Sequence, residues 1–369
     1  MPQIFNPVLS NNLSTPQGTY IYEIVPQGPS NLAAISSTDS LHIFNASTLQ
    51  LLTTIPSIHA DGATCLKALD TNVLVTAGRD GHVKIWDARS GKQSGKLAFE
   101  KYPARGKPFL SLAVSKGYNA IAAGEELVDH LASVIIWDLR DSAVSRHYTE
   151  SHNDDVTELQ FDTVNLSLLL SGSTDGLVNI YDLKQAKKDI RDADDDEALF
   201  QVINHGSSVH RAGFLRSTAS WVEDMDIYAL SHDEILTVYP LNDPNTVDTD
   251  TSPILEEEES EEKGIWGDMR QKLGCEYVMT LLSETAGRGG TLVVGSHQQQ
   301  WVDLMPFENH WGGETKGRMS GWRIDAERGI RLAGGHGEEV VRCIHVIQET
   351  RTIYTGGEDG LVKVWRGPA

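Results

Sequence analysis

Apolar positions along the chain fall in runs of four to seven residues, and in most runs they alternate with small or polar ones. A period of two predicts β-strands, and the 3.6-residue spacing of long amphipathic helices is missing. Between the runs stand Gly, Asp, Asn and Ser, the residues of tight turns. Three segments align without gaps: TAGRDGHVKIWD (76–87), SGSTDGLVNIYD (171–182) and TGGEDGLVKVW (355–365). Each reads as a strand, an Asp-Gly turn and an alternating strand ending on an aromatic residue. Gly accepts the positive φ that such a hairpin turn requires. The turn Asp precedes the aromatic by six residues each time: Asp80 and Trp86, Asp175 and Tyr181, Asp359 and Trp365. A His lies 21 to 23 residues ahead of each Asp, at His59, His152 and His336.

These residues at this spacing resemble the WD-repeat family, β-propellers built from four-stranded blades. The resemblance implies a buried, hydrogen-bonded tetrad in each well-formed blade. It would join the His of the loop entering the blade, a Ser or Thr on the second strand, the turn Asp and the third-strand Trp. Carried onto this chain, the tetrads are His59, Thr76, Asp80 and Trp86, then His336, Thr355, Asp359 and Trp365. A third set is His152, Ser171, Asp175 and Tyr181, with Tyr in place of Trp. Such His–Ser/Thr–Asp sets look like catalytic triads, but their recurrence at equivalent positions reads as structure.

Four weaker repeats fill the gaps. They are 31–52; 109–140, with a long loop at 125–132; 226–241, with Ala229 at the tetrad Ser position; and 291–307, with glutamines replacing Asp-Gly. Seven third strands predict an all-β, seven-bladed WD-repeat β-propeller. An N-terminal strand is expected to close the last blade, and 19–25 (TYIYEIV) reads as that strand. The expected organisation is an N-terminal tail over 1–18 and one propeller over 19–369. The stretches 123–140, 151–161 with 171–182, and 334–360 further resemble one small eukaryotic branch of the family, typified by WD repeat-containing protein 89.

Charge changes the picture. The 369 residues hold 31 Lys and Arg against 52 Asp and Glu, a formal net charge of −21. An acidic field disfavours direct nucleic-acid binding and anionic membrane surfaces, and favours basic partners. The acidity is concentrated. Residues 189–197 (DIRDADDDE) carry a net −5 and 243–262 a net −9, so 29 residues hold two-thirds of the total. Both segments follow predicted third strands, as does a further insertion over 309–321. In the propeller that the resemblance implies, such loops leave one face on neighbouring blades. The acidic runs Asp194, Asp195, Asp196 and Glu256, Glu257, Glu258, Glu259 read either as solvated loop or as a docking surface for a basic segment.

Candidate chemistry beyond charge is sparse. The sequence W-D-x-R occurs twice, ending on Arg89 and Arg140. In WD-repeat substrate receptors of cullin-RING ubiquitin ligases such an Arg contacts the linker subunit, whereas the plainer reading is a local Asp–Arg pair. Trp266 and Trp311, beside the insertions, read either as exposed partner anchors or as pins that hold the loops down. Phosphate-loop, zinc-protease and nucleophile-elbow motifs are absent, so no catalytic residue, cofactor or metal is expected. Three cysteines form no C-x-x-C pair, and the first twenty residues lack an apolar signal core. The expectation is therefore an intracellular protein, nuclear and/or cytoplasmic, monomeric on its own. It would act as an interaction scaffold, either an escort for a basic ribosomal or nuclear protein or a cullin-RING receptor.

Overall fold

A computed structural model describes residues 2–99, 106–162, 167–184, 198–216, 225–241, 265–283, 289–309 and 321–367. The chain opens on β1 (Gln3–Asn11). Blade one follows as β2 (Ile21–Gln27), β3 (Asn31–Ser36), β4 (Ser40–Asn45) and β5 (Leu51–Ile55). Blade two is β6 (Ala63–Asp70), β7 (Val73–Gly78), β8 (His82–Asp87) and β9 (Lys92–Ala98). Blade three is β10 (Phe109–Ser115), β11 (Ala120–Glu125), β12 (Val134–Asp138) and β13 (Val144–Tyr148). Blade four is β14 (Val156–Phe161), β15 (Leu168–Ser173), β16 (Leu177–Asp182) and β17 (Leu199–Asn204). Blade five is β18 (Val209–Arg216), β19 (Met225–Ser231), β20 (Ile235–Pro240) and β21 (Ile265–Asp268), followed by the short helix α1 (Met269–Leu273). Blade six has β22 (Tyr277–Ser283), β23 (Gly290–Ser296) and β24 (Trp301–Asn309), with its fourth strand split into β25 (Trp322–Ile324) and β26 (Ile330–Ala333). Blade seven is β27 (Val341–Ile347), β28 (Thr352–Gly357), β29 (Val362–Arg366) and β1.

The chain divides into two compact units. One comprises Met1–Leu112, Val293–Leu304 and Glu327–Ala369, and the other Ala113–Leu292 and Met305–Ala326. In the first, β3 buries both of its faces. Leu32 and Ala34 join Phe44, Tyr354 and Val364 in one core cluster. Ala33 and Ile35 point the other way and join Leu66, Leu74 and Trp86. A strand buried on both faces reads as a continuous apolar run, which is why second strands lack the clean alternation of a half-exposed sheet. The second unit repeats the device on β15. Leu169 packs with Val134 and Ile136, and Leu168 and Leu170 pack with Ile227 and Tyr239.

The strand that completes blade seven is N-terminal, as expected, but it is not 19–25. Residues 21–27 form β2, the first strand of blade one, and pair with β3 from Ile21↔Ser36 to Gln27↔Asn31. The closing strand is β1, inside the region expected as a tail. It runs antiparallel to β29 from Asn6↔Arg366 to Asn11↔Val362, and parallel to β26 over Gln3–Phe5. Its sequence, QIFNPVLSN, gave no alternation to detect because the strand buries a single side chain. Phe5, 2% exposed, is its one buried side chain, while Ile4 and Val8 remain 58% and 49% exposed. Phe5→Ala should therefore lower stability by about 3 kcal/mol in urea unfolding. Ile4→Ala and Val8→Ala should each change it by less than about 1 kcal/mol.

Candidate functional site

The three tetrads form as the repeat spacing required. In blade two, His59 Nδ1 lies 2.8 Å from Asp80 Oδ1 and Nε2 lies 2.8 Å from Thr76 Oγ1. Trp86 Nε1 donates to the same Oγ1 at 2.9 Å. Blade seven matches it: His336 is 2.6 Å from Asp359 and 2.7 Å from Thr355, which accepts from Trp365 Nε1 at 2.9 Å. In blade four, His152 is 3.1 Å from Asp175 and 2.7 Å from Ser171, and Ser171 Oγ donates to the Tyr181 hydroxyl at 3.3 Å. Tyr thus stands in Trp's place, over a longer bond of opposite direction. All three histidines, Thr76, Ser171 and Thr355 are buried, and each network ties together the loop, strands and turn of its own blade. Gly78 and Gly357 show how tightly they fit. A Cβ on Gly78 would stand 2.3 Å from the His59 ring, and one on Gly357 2.6 Å from that of His336.

Two features of this network escape the motif. Two positions before each aromatic stands a donor that ties the third strand back to the His loop. Lys84 reaches Ile58 O at 2.6 Å, Asn179 reaches Ser151 O at 2.7 Å, and Lys363 reaches Gly335 O at 2.9 Å. Their common register was a readable signal. Blade five has a reduced version built on His205, which the Asp spacing missed because β18 and β19 are long. With Ala229 where a hydroxyl would stand, His205 Nδ1 contacts Tyr239 Oη directly at 2.9 Å, and Asp233 accepts instead from Ser207 Oγ at 3.0 Å.

The electrostatics follow from burial. Burial alone would raise the Asp80, Asp175 and Asp359 carboxyls. Their bonds from His59, His152 and His336, with backbone N–H groups and the nearby Lys84 and Lys363, hold all three below the usual carboxylate range. Burial pushes His336 down, and pushes His42 and His205 down to about 4. Among the described residues no group of three His, Cys, Asp or Glu is placed to hold a metal ion.

The partner candidates fare differently. Arg89 and Arg140 are exposed and bind their own turn aspartates, Arg89 Nε at 3.2 Å from Asp87 and Arg140 Nε at 2.8 Å from Asp138. Arg270 makes the same pair with Asp268 at 3.0 Å, outside any W-D-x-R sequence, so the pair is a local turn contact. Trp266 is corrected as an exposed anchor: at 1% exposure it is interior, because its ring packs edge-on against Phe307 at 5.2 Å. Phe307 stacks on Trp322 at 5.0 Å, and Trp322 Nε1 donates to Asp226 at 2.7 Å. Asp194, Asp195, Asp196, Glu256, Glu257, Glu258, Glu259 and Trp311 lie outside the described residues.

What the structure does give is where the insertions begin and end. Residues 185–197 join β16 to β17, 242–264 join β20 to β21, and 310–320 join β24 to β25, each a third-to-fourth-strand connection in the second unit. Their roots touch. Gln201 on β17 donates to Pro240 O at the end of β20 at 3.1 Å. Trp266, Phe307 and Trp322 link the end of the second insertion to both ends of the third.

Comparison with known proteins agrees with this geometry. The family model "WD domain, G-beta repeat" matches residues 50–87, 144–182 and 330–366, the three segments that hold the full third strands. An uncharacterized WD repeat-containing protein of Schizosaccharomyces pombe is 31% identical over 364 residues, 97% of this chain and 98% of its own length. The chain belongs to the WD-repeat family. Its fold class is therefore the WD-repeat β-propeller, and the seven blades and N-terminal closing strand agree with that. A Saccharomyces cerevisiae WD repeat-containing protein is 32% identical over 296 residues, 79% of this chain and 64% of its own. The WD repeat-containing protein 89 homolog of Dictyostelium discoideum is 31% identical over 214 residues, 58% and 52% of the two chains.

One further surface of this WD-repeat chain was invisible in the sequence. First strands β2, β6, β14, β18 and β27 each slip register near their start, at Tyr22, Thr64, Thr157, His210 and Arg342, and β6 slips again near its end. Such a bulge re-aims its side chain. Thr64 and Thr157 spend theirs on the next first strand, donating to Phe109 O and Val209 O. Tyr22 and Arg342, in the first unit, are exposed instead. Arg342 Nε binds Glu358 at 2.7 Å, and Tyr20, Tyr22 and Asp39 lie close enough to share one electrostatic neighbourhood with that pair.

The tetrads predict a pH dependence with a definite sign. Groups whose folded pKa lies below the unfolded one stabilise the fold at higher pH and lose that contribution as pH falls. Stability should decline between roughly pH 6.5 and 4 as His42 and His205 are forced to ionise, and again below roughly pH 4 as the tetrad carboxyls protonate. Chemical denaturation across pH 3–8 reads both steps. Thr76→Val, which keeps the shape but strips partners from His59 and Trp86, should cost at least about 2 kcal/mol at pH 7.

Proposed function

We propose that this protein is an interaction scaffold that escorts a basic ribosomal or nuclear protein, held against an acidic face formed by residues 189–197 and 243–262. WD-repeat proteins are generally protein-interaction scaffolds, and loops on a stable frame supply their specificity. The observation that carries the reading is the convergence of the insertion roots. The Gln201–Pro240 contact joins the strand that follows the net −5 segment to the strand that precedes the net −9 segment. Carboxylates gathered this way attract Lys and Arg over a distance set by ionic strength. On this reading the protein resides where such clients are made or delivered, in the nucleus, the cytoplasm or both. The Tyr20, Tyr22 and Arg342 surface of the first unit favours a second, shorter-range contact with the client, since exposed Tyr and Arg are the side chains that anchor interfaces.

A Lys- and Arg-rich peptide titrated at 50 and 300 mM salt should bind at least about tenfold more weakly at the higher salt. Deleting residues 253–263 should remove most of that difference, and equal affinity with and without the deletion would overturn the loop's role. Tyr22→Ala should weaken binding equally at both salts. If charge reversal at Arg89 and Arg140 instead abolished co-purification of a cullin-RING linker subunit, the receptor reading would replace this one.

A further inference from the structure

The Asp-Gly turns of blades two, four and seven place Gly81, Gly176 and Gly360 at positive φ, +70°, +87° and +74°. In blades one and five the corresponding position holds an acidic residue in the same left-handed conformation, Asp39 at +54° and Glu234 at +62°. A side chain there is strained by about 1 kcal/mol relative to Gly. Both carboxylates make the same use of the position: each accepts an N–H from the first strand of the next blade. Ala63 N donates to Asp39 Oδ1 at 3.0 Å, and Val278 N donates to Glu234 Oε2 at 3.0 Å. The blade-five turn is clamped further. Met269 N donates to Glu234 O at 3.0 Å and Arg270 Nη2 to Asp233 O at 3.1 Å.

We propose that Glu234 is a proton-sensitive latch joining the β19–β20 turn of blade five to the first strand of blade six. The groups around it are Asp233 on the turn itself, Asp268 at the end of β21, Arg270 on α1 and Cys275 ahead of β22. Burial raises the Glu234 carboxyl, and Asp268 and Asp233 add to the effect. The Val278 N–H and the Arg270 guanidinium oppose it, and the balance stands at about 7. Arg270 is a weak counter-ion here because its guanidinium is already shared between both oxygens of Asp268 and the Asp233 carbonyl. The Cys275 thiol, pushed up to about 11 by burial and by the Glu234 charge, stays neutral throughout. Near neutral pH the latch therefore exists in two forms. The ionised carboxylate grips the Val278 amide more strongly but sits among like charges, and the protonated one relaxes both.

The sign is opposite to that of the tetrads. A carboxyl that holds its proton more tightly in the folded state stabilises the fold at low pH and loses that contribution as pH rises through its folded value. In the full-length, ¹⁵N-labelled protein, the Val278 amide should titrate with a midpoint near pH 7 between pH 5.5 and 8.5, and Glu234→Gln should abolish the titration. Over the same range the unfolding equilibrium of the wild type should shift toward the unfolded state, relative to Glu234→Gln, by on the order of 30-fold. Glu234→Gly restores the turn used by blades two, four and seven, so it gives a folded second control, which should lose both the titration and the slow exchange of the Val278 amide. A Val278 amide that is flat across this range, or one that titrates alike in wild type and Glu234→Gln, would overturn the proposal.

Discussion

A carboxylate can only accept hydrogen bonds, and that fact orders the interior of the best-formed blades. Because the turn Asp accepts from His Nδ1, Nε2 of the neutral imidazole is left as an acceptor. In blades two and seven the Thr hydroxyl must then donate to Nε2, which leaves its lone pairs for the indole N–H. Every proton in the chain has one place to go. Satisfying four buried polar side chains with one another fixes the entering loop, the second strand, the turn and the third strand in a single register. Removing any member leaves its neighbours unpaired in an apolar interior, so a blade with this network tolerates little slip. Blade five, lacking the hydroxyl at Ala229, keeps only the His205–Tyr239 contact, and its turn is secured from outside by α1 and β22.

That order explains which parts of the molecule could be read from the chain. The tetrads were legible because turn geometry ties Asp, Gly and aromatic together over a few residues. Where the insertions leave the blades was legible because third-to-fourth-strand connections keep their place in every repeat. β1 was not, since a strand with one buried side chain, Phe5, carries no apolar pattern, and 19–25 alternates well enough to be mistaken for it. His205 was hidden by the length of the strands that follow it. The bulged residues Tyr22 and Arg342 were hidden for a different reason: a bulge exists only relative to a partner strand. Trp266 shows the limit of composition, since a Trp beside an acidic run is equally apt as an anchor and as a wall, and packing against Phe307 makes it a wall.

Charge and frame are separable in this protein. Two segments totalling 29 residues hold two-thirds of a net charge of −21, while several acids of the described blades are paired locally. Asp303 with Arg331, Asp162 with Arg216 and Glu158 with Arg211 are such pairs, each reaching an Arg on another strand. The rest of the chain is thus only mildly acidic, and a change in the two insertions alters the long-range field most. The aromatic trio Trp266, Phe307 and Trp322 serves that separation by sealing the roots with apolar contacts that are indifferent to ionic strength.

The pairing of β1 with β29 also sets an order of assembly. Asn6 and Arg366 are partners, so β1 must wait for a strand made some 360 residues later before these hydrogen bonds can form. Until then β1 is an unpaired segment bearing Ile4, Val8 and Leu9, and the other blades must find their registers without it. Closing so long a loop carries an entropic cost that is met only when the rest of blade seven is in place. Blade seven therefore closes only after β29 has been made, and throughout that interval β1 is an adhesive strand left uncovered.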